Sequence, residues 1–233
     1  MITFKKTKPK KQSYLPVIQT DPHSVASEQY WKLKSNIELS NFDQKIKVIG
    51  VTSTFEKEGK SLTVINLATT YENSNLKTLI IDLDLRKPKV HRGFNIINKI
   101  GISDMVIDGL KIEDVRNVIS EKLHVITSGK KLPFPAEFLM SKQIKLIIES
   151  LSSEYDRIII DTPPLTVFAD ATIIGTLCDG IVFVIKSNAV DAKHAKQALK
   201  ELEENQVNVI GAVLTQVSRK GKGYYKYYNY YKD

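Results

Sequence analysis

Six stretches of this 233-residue chain are rich in aliphatic residues: IKVIGVTS (46–53), KTLIIDLD (77–84), KLHVITS (122–128), DRIIIDT (156–162), GIVFVIK (180–186) and VNVIGAVL (207–214). Several are apolar nearly throughout rather than in alternation. That pattern predicts strands covered on both faces, because a strand with one wet face alternates. Amphipathic segments of helical length lie between them at 60–73, 137–152 and 191–205. A further helix is predicted over 24–40, with Tyr30, Leu33 and Ile37 on one stripe. Strand–helix alternation of this kind predicts an α/β fold with a doubly wound, mostly parallel sheet. No internal repeat interrupts it. The expected organisation is one domain over 24–217, with a basic flexible lead over 1–23 and a flexible tail over 218–233.

Composition sharpens this picture at the ends. At 42% hydrophobic residues the chain is long enough for one sizeable core. The net charge of +8 is unevenly placed. Five lysines fall within residues 1–11, and Arg219, Lys220, Lys222, Lys226 and Lys232 crowd the other end. The span 12–217 keeps 24 basic and 25 acidic residues and is near neutral. Basic ends on a neutral body suit an anionic lipid surface or an acidic partner better than a sequence-reading nucleic-acid interface. A single cysteine, Cys178, excludes an internal disulfide and fits a reducing compartment. No apolar run reaches the roughly 18–20 residues that cross a bilayer, and the lysine-rich start lacks the core of a signal peptide. The expectation is a cytoplasmic protein that meets the membrane through a partner or through charge.

Candidate chemistry sits at three predicted strand ends, where ligands bind in such sheets. After 46–53 comes Thr54-Phe55-Glu56-Lys57-Glu58-Gly59-Lys60-Ser61-Leu62. Gly-Lys-Ser opening a helix is the second half of a phosphate-binding loop: backbone N–H groups surround the phosphates, the lysine reaches their β/γ oxygens, and the serine hydroxyl ligates Mg²⁺. The glycine that opens the full pattern is replaced by Thr54. The second strand end carries Asp82 and Asp84, two carboxylates on one face of a buried strand, costly there unless a metal or proton-transfer partner meets them. The third is Ile158-Ile159-Ile160-Asp161-Thr162-Pro163-Pro164, an apolar strand ending in the carboxylate expected on the Mg²⁺ side of P-loop enzymes.

The C-terminus is the most unusual feature. Tyr224, Tyr225, Tyr227, Tyr228, Tyr230 and Tyr231 fall within the last ten residues, without the spacing of a core element. Each phenol is nearly neutral at pH 7 and gains roughly −1.5 to −2 charge on phosphorylation, so this stretch can swing by about ten charge units. It reads as a substrate.

Together these residues resemble the bacterial tyrosine kinases (BY-kinases) of capsule and exopolysaccharide loci, from about Ser24 to the end. The segment around Lys60 and Ser61 is similar to their Walker A motif, IIDLDLRKP to Walker A′, IIIDTPP to Walker B, and SGKKLPFPAEFLMS (128–141) to a Pro-containing connection followed by a helix. The resemblance implies a P-loop NTPase fold of the MinD/ParA-like type and Mg²⁺-ATP as cofactor. Residues 54–62 would bind ATP and Lys60 would hold its β/γ-phosphates. Ser61, Asp84 and Asp161 would hold the metal and its waters, and Asp82 would be the base or orienting group for the phenol. It further implies autophosphorylation of the tyrosine cluster between subunits of a ring-shaped homo-oligomer. The activating partner would be the cytoplasmic segment of a transmembrane polysaccharide co-polymerase, and polysaccharide-synthesis proteins would be further substrates. Nucleic acid is not an expected partner.

The chain departs from the family pattern at four places. Lys57 stands where the family has glycine, and Leu62 where it has Thr or Ser. The ring-forming Glu-x-x-Arg-x-x-Arg becomes Glu28-x-x-Trp31-x-x-Lys34, and lysine does not reproduce arginine's bidentate fork. Thr215-Gln216 replaces an expected Asn-Lys pair near adenine. Two other readings stay open: a nucleotide-binding regulatory adaptor of the same complex, and a MinD/ParA-type ATPase, whose signature lysine is replaced here by Phe55.

Overall fold

A computed structural model describes residues 15–40 and 46–217. The elements in chain order are α1 (Val17–Thr20), α2 (Val25–Leu39), β1 (Val48–Ser53), α3 (Lys60–Asn73), β2 (Thr78–Asp82), α4 (Val90–Gly93), α5 (Ile102–Ile107), α6 (Ile112–Val115), β3 (Arg116–Val118), β4 (Leu123–Ile126), α7 (Pro135–Leu139), α8 (Lys142–Glu154), β5 (Arg157–Asp161), α9 (Asp170–Gly175), β6 (Gly180–Lys186), α10 (Ala192–Glu204) and β7 (Val209–Thr215). The seven strands form one sheet in the order β3-β4-β2-β5-β1-β6-β7. Every pairing is parallel except β3 with β4. The doubly wound sheet expected from the strand–helix alternation is therefore present.

The apolar runs are explained by two-sided coverage. Ile158 and Ile160 of β5 join a core with Leu79 and Ile81 of β2 and with Ile144, Ile148 and Leu151 of α8. Ile159 and Ile80 point the other way, into a core with Val64, Leu67 and Tyr71 of α3 and Ile37 of α2. Register then fixes where the acids go. Asp82 lies beside Asp161 across β2 and β5, and Val51 of β1 lies on Asp161's other side. β2 and β5 therefore end together with their carboxylates side by side, and β1 runs on two residues further to Ser53.

Three features differ from the sequence expectation. The helix expected over 137–152 is two: α7 opens on Pro135, and α8 restarts at Lys142 behind Ser141, whose backbone is extended and whose Oγ accepts from the Ile144 amide. A serine whose side chain substitutes for the missing helical acceptor ends one helix and begins the next. The antiparallel strand β3 is too short, at three residues, to leave a periodic signal. Part of the stretch expected to be a loose lead is packed. Ile18 is only 3% exposed, and the buried Asn66 of α3 accepts from the Val17 and Ile18 amides at 2.7 and 3.4 Å. The first fourteen residues and the tyrosine cluster lie outside the described residues.

Asn66 is thus the anchor for α1. Its replacement by Ala leaves two largely dehydrated amides without an acceptor, a loss of about 1–3 kcal/mol. Asn66→Ala should lower the urea midpoint and speed amide hydrogen exchange at Val17 and Ile18 first; unchanged exchange there would show that the anchor carries no energy.

Candidate active site

The loop between β1 and α3 is held from several sides. Glu58 is buried, and its two carboxylate oxygens accept from the backbone amides of Phe55 and of Lys186, the latter at 2.9 Å at the end of β6. Its carbonyl accepts from the Thr215 hydroxyl at 2.5 Å, at the end of β7. A Cβ on Gly59 would meet that threonine's methyl at 3.3 Å. On the other side, Leu165 and Thr166 donate to the carbonyls of Ser53 and Thr54. The loop is thereby pinned to the ends of β6 and β7 and to the segment after β5. Gly59 has φ +103 and Lys57 φ +64. The first is easy for glycine, whereas the left-handed region is unfavourable for a lysine.

Lys60 and Ser61, the first residues of α3, are both buried. This helix start supplies unpaired N–H groups and a positive dipole end, the setting for a phosphate. Burial lowers the Lys60 pKa, and the nearby Asp161 and Asp84 charges act in the opposite direction. Across from it, Asp161 is fully buried and neither carboxylate oxygen makes a hydrogen bond of acceptable geometry. Burial pushes its pKa up to about 7, against the favourable influence of the Lys60 charge and the adjacent Ser61 hydroxyl. Asp82 is also fully buried, and burial followed by the charges of Asp161 and Asp84 pushes it well above the usual carboxylate range. Its oxygens are partly compensated: Oδ1 accepts from the Asp84 amide at 3.2 Å, and Oδ2 from the Lys89 and Val90 amides at 3.1 Å each. Asp84 accepts from the Lys87 amide at 3.0 Å and, with Lys60, lines a cavity of about 470 Å³. Asp82 does not line it.

The structure therefore brings Lys60, Ser61, Asp82, Asp84 and Asp161 together. Phe55, Glu56 and Lys57 are exposed on the loop, Thr54 and Glu58 are buried in it, and Leu62 is half-buried on α3. The unpartnered oxygens of Asp161, next to a serine hydroxyl and a buried lysine, suit a Mg²⁺–phosphate pair. Mg²⁺ is commonly held by one or two carboxylates together with substrate phosphates. Among the described residues, no group of three or more His, Cys, Asp or Glu side chains is placed to hold a metal by itself.

Sequence reasoning missed Thr215 as a loop clamp and missed the Arg86–Asp170 pair. Arg86 donates to Asp170 through Nε at 2.7 Å and Nη2 at 3.1 Å, and both Arg86 and Phe168 line the cavity. No local pattern marks these contacts, because they join residues 84 and 157 positions apart. On α2, Glu28 is exposed, Trp31 is half-buried, and the Lys34 ammonium lies 5.8 Å from the ring centroid of this chain's own Tyr71.

A family model described as an AAA domain matches residues 33–212. Over 176 residues the chain is 40% identical to the tyrosine-protein kinase YwqD of Bacillus subtilis (strain 168), covering 75% of this chain and 74% of that one. The chain belongs to the bacterial tyrosine-protein kinases. The crystal structure of the chimerical protein CapA2B2 superposes with a TM-score of 0.82 at 32% identity, covering 88% of this kinase and 90% of that chain. The septum site-determining protein MinD from Pyrococcus horikoshii OT3, complexed with Mg-ADP, gives a TM-score of 0.62 at 19% identity, covering 72% and 69%. The second likeness shows a shared fold alone, the P-loop architecture expected from the sequence.

In this kinase, the left-handed lysine in the loop is a local strain of about 1 kcal/mol or more. Lys57→Gly should relieve it and raise stability by about 0.5–1 kcal/mol after the entropy glycine adds to the unfolded chain. The check is a urea midpoint that rises with unchanged slope; a fall would mean that Lys57 makes a compensating interaction.

Proposed function

We propose that this tyrosine-protein kinase is a Mg²⁺-ATP-dependent autokinase acting on its own C-terminal tyrosines, Tyr224, Tyr225, Tyr227, Tyr228, Tyr230 and Tyr231. We place it in the control of capsular or exopolysaccharide biosynthesis and export. The observation that carries the reading is the convergence of a buried lysine, a serine at a helix start and three strand-end carboxylates, one with both oxygens unpartnered. Lys60 holds the β/γ-phosphates of ATP, while Ser61, Asp84 and Asp161 hold the metal and its waters. Bound Mg²⁺ neutralises charge on the phosphates during transfer. Asp82 acts as proton acceptor or orienting group for the incoming phenol, a poor nucleophile at neutral pH because its pKa is about 10.

The kinase is further proposed to sit at the inner face of the plasma membrane through the cytoplasmic segment of a transmembrane co-polymerase, which completes the nucleotide site. Among the described residues no helix is long and apolar enough to cross a membrane. Glu28, exposed on α2, is proposed to contact a neighbouring copy in a ring. Tail phosphorylation would add charge that pushes the copies apart, and proteins of polysaccharide synthesis are proposed as further substrates. A regulatory adaptor with little catalysis is favoured by two observations: the left-handed Lys57 and the Lys34 side chain turned onto Tyr71.

Intact-mass analysis after incubation with Mg²⁺-ATP separates the two readings, run with and without the cytoplasmic segment of a transmembrane polysaccharide co-polymerase. The autokinase reading expects stepwise phosphate addition mapping to residues 224–231, lost in Lys60→Met and Asp82→Ala. No added mass under either condition, with ATP still bound, would establish the adaptor.

A further inference from the structure

Arg86 follows Asp84 by two residues, so whatever fixes its guanidinium also shapes the cavity above the acids. Asp170, whose side chain is 2% exposed, binds it at two points and sets the plane of the fork. That plane lies over the ring of Phe168, with the guanidinium carbon 3.4 Å from the ring centroid. One face of the phenylalanine is thereby covered, stacked on a guanidinium that a buried aspartate holds in place. Phe168 nevertheless remains 41% exposed, and its neighbour Val167 is 52% exposed. Both line the same cavity as Lys60 and Asp84, along with Pro133, Pro135 and Pro164. An aromatic ring held rigidly at the rim of a cavity with a charged floor makes a plate for a flat ligand.

We infer that Phe168, backed by Arg86, is the plate on which the acceptor tyrosine ring lies, and that it selects phenol over aliphatic hydroxyl acceptors. The inference rests on the tyrosine-kinase reading of the site. Two considerations favour a phenol over the adenine of the nucleotide. The carboxylates mark the end of the site where the transferred phosphoryl group sits, and the plate adjoins Asp84 through Arg86, so it borders the path of the attacking oxygen. The depth of the site also matters. The floor acids are buried while Phe168 and Val167 stand at the rim, so the acceptor oxygen has to be carried inward from a peptide backbone outside. A tyrosine places its oxygen a full ring's length further from the backbone than serine or threonine does. Proline walls suit a ring, since they are apolar and contribute no N–H that would need a partner. Phe168 and Arg86 are positioning residues in this account, and no proton or phosphate passes through them.

The test is fluorescence anisotropy with a labelled peptide of residues 224–233, YYKYYNYYKD, on the full chain with Mg²⁺ and a non-hydrolysable ATP analogue. A second peptide replaces every tyrosine with serine. The tyrosine peptide should bind about tenfold or more tightly than the serine peptide. Phe168→Ala should weaken the tyrosine peptide by about tenfold and Phe168→Trp should restore it, with affinity for the ATP analogue held within about twofold. Equal peptide binding by wild type and Phe168→Ala, no binding of the tyrosine peptide by wild type, or a parallel loss of ATP-analogue affinity would overturn the assignment. The readout does not need turnover. If intact-mass analysis finds no phosphate while peptide binding depends on Phe168, the autokinase reading falls and the plate stands; the reverse pattern leaves the kinase intact and removes the plate.

Discussion

Three carboxylates and a lysine buried at the ends of neighbouring strands are the constraint around which this protein is organised. Asp82 and Asp161 are register partners, Asp84 follows two residues later, and Lys60 faces them from the start of α3. Burial away from water raises the proton affinity of Asp82 and Asp161, the neighbouring carboxylates add to it, and the Lys60 charge offsets it only in part at Asp161. Such a group is tolerable in a fold when a ligand completes it. A divalent cation would supply positive charge and a partner for the Asp161 oxygens, and a polyphosphate bound with it would supply acceptors for Lys60 and the N–H groups of the helix start.

Around this centre the remaining structure acts as a frame that prevents relaxation. Glu58 ties the phosphate loop to β6, Thr215 ties it to β7, and the Thr166 hydroxyl ties it to the segment after β5. Three backbone amides fix Asp82. The left-handed Lys57 survives because these contacts over-determine the loop, in the way strained backbone persists at functional sites. The Arg86–Asp170 pair extends the same rigidity to the cavity rim, so that an exposed aromatic ring there is a fixed surface.

Much of this was legible in the sequence, for stated physical reasons. Continuous apolar strands announce a covered parallel sheet, and acids at their ends can be placed by counting, since strand register and side-chain alternation leave little freedom. Asp82, Asp84 and Asp161 were therefore found before their surroundings were known. The contacts that organise them were not. Glu58 reads as one more charge in a polar loop, yet it is a buried acceptor for two amides. Asp170 gives no local signal because its meaning depends on Arg86, 84 residues earlier. Ser141 split an expected helix through a cap that competes with an otherwise continuous amphipathic pattern. Ile18 was lost in a polar-looking lead because its burial depends on Asn66, a polar residue on a helix. Asp82 is legible as a strand-end acid, whereas its enclosure by three backbone amides depends on a loop that carries no pattern of its own.

The central claim is that the acid–lysine cluster is completed by metal and nucleotide together. Thermal unfolding of the full chain, recorded with Mg²⁺ alone, ATP plus a chelator, and both, tests it most directly. Saturating ligand that binds only the folded state adds about 2.7 kcal/mol at a hundredfold excess over Kd. The account predicts that the pair raises the unfolding midpoint by clearly more than the two separate shifts combined, because each ligand removes an electrostatic cost that the other needs removed. Equal stabilisation by ATP with and without Mg²⁺ would contradict it.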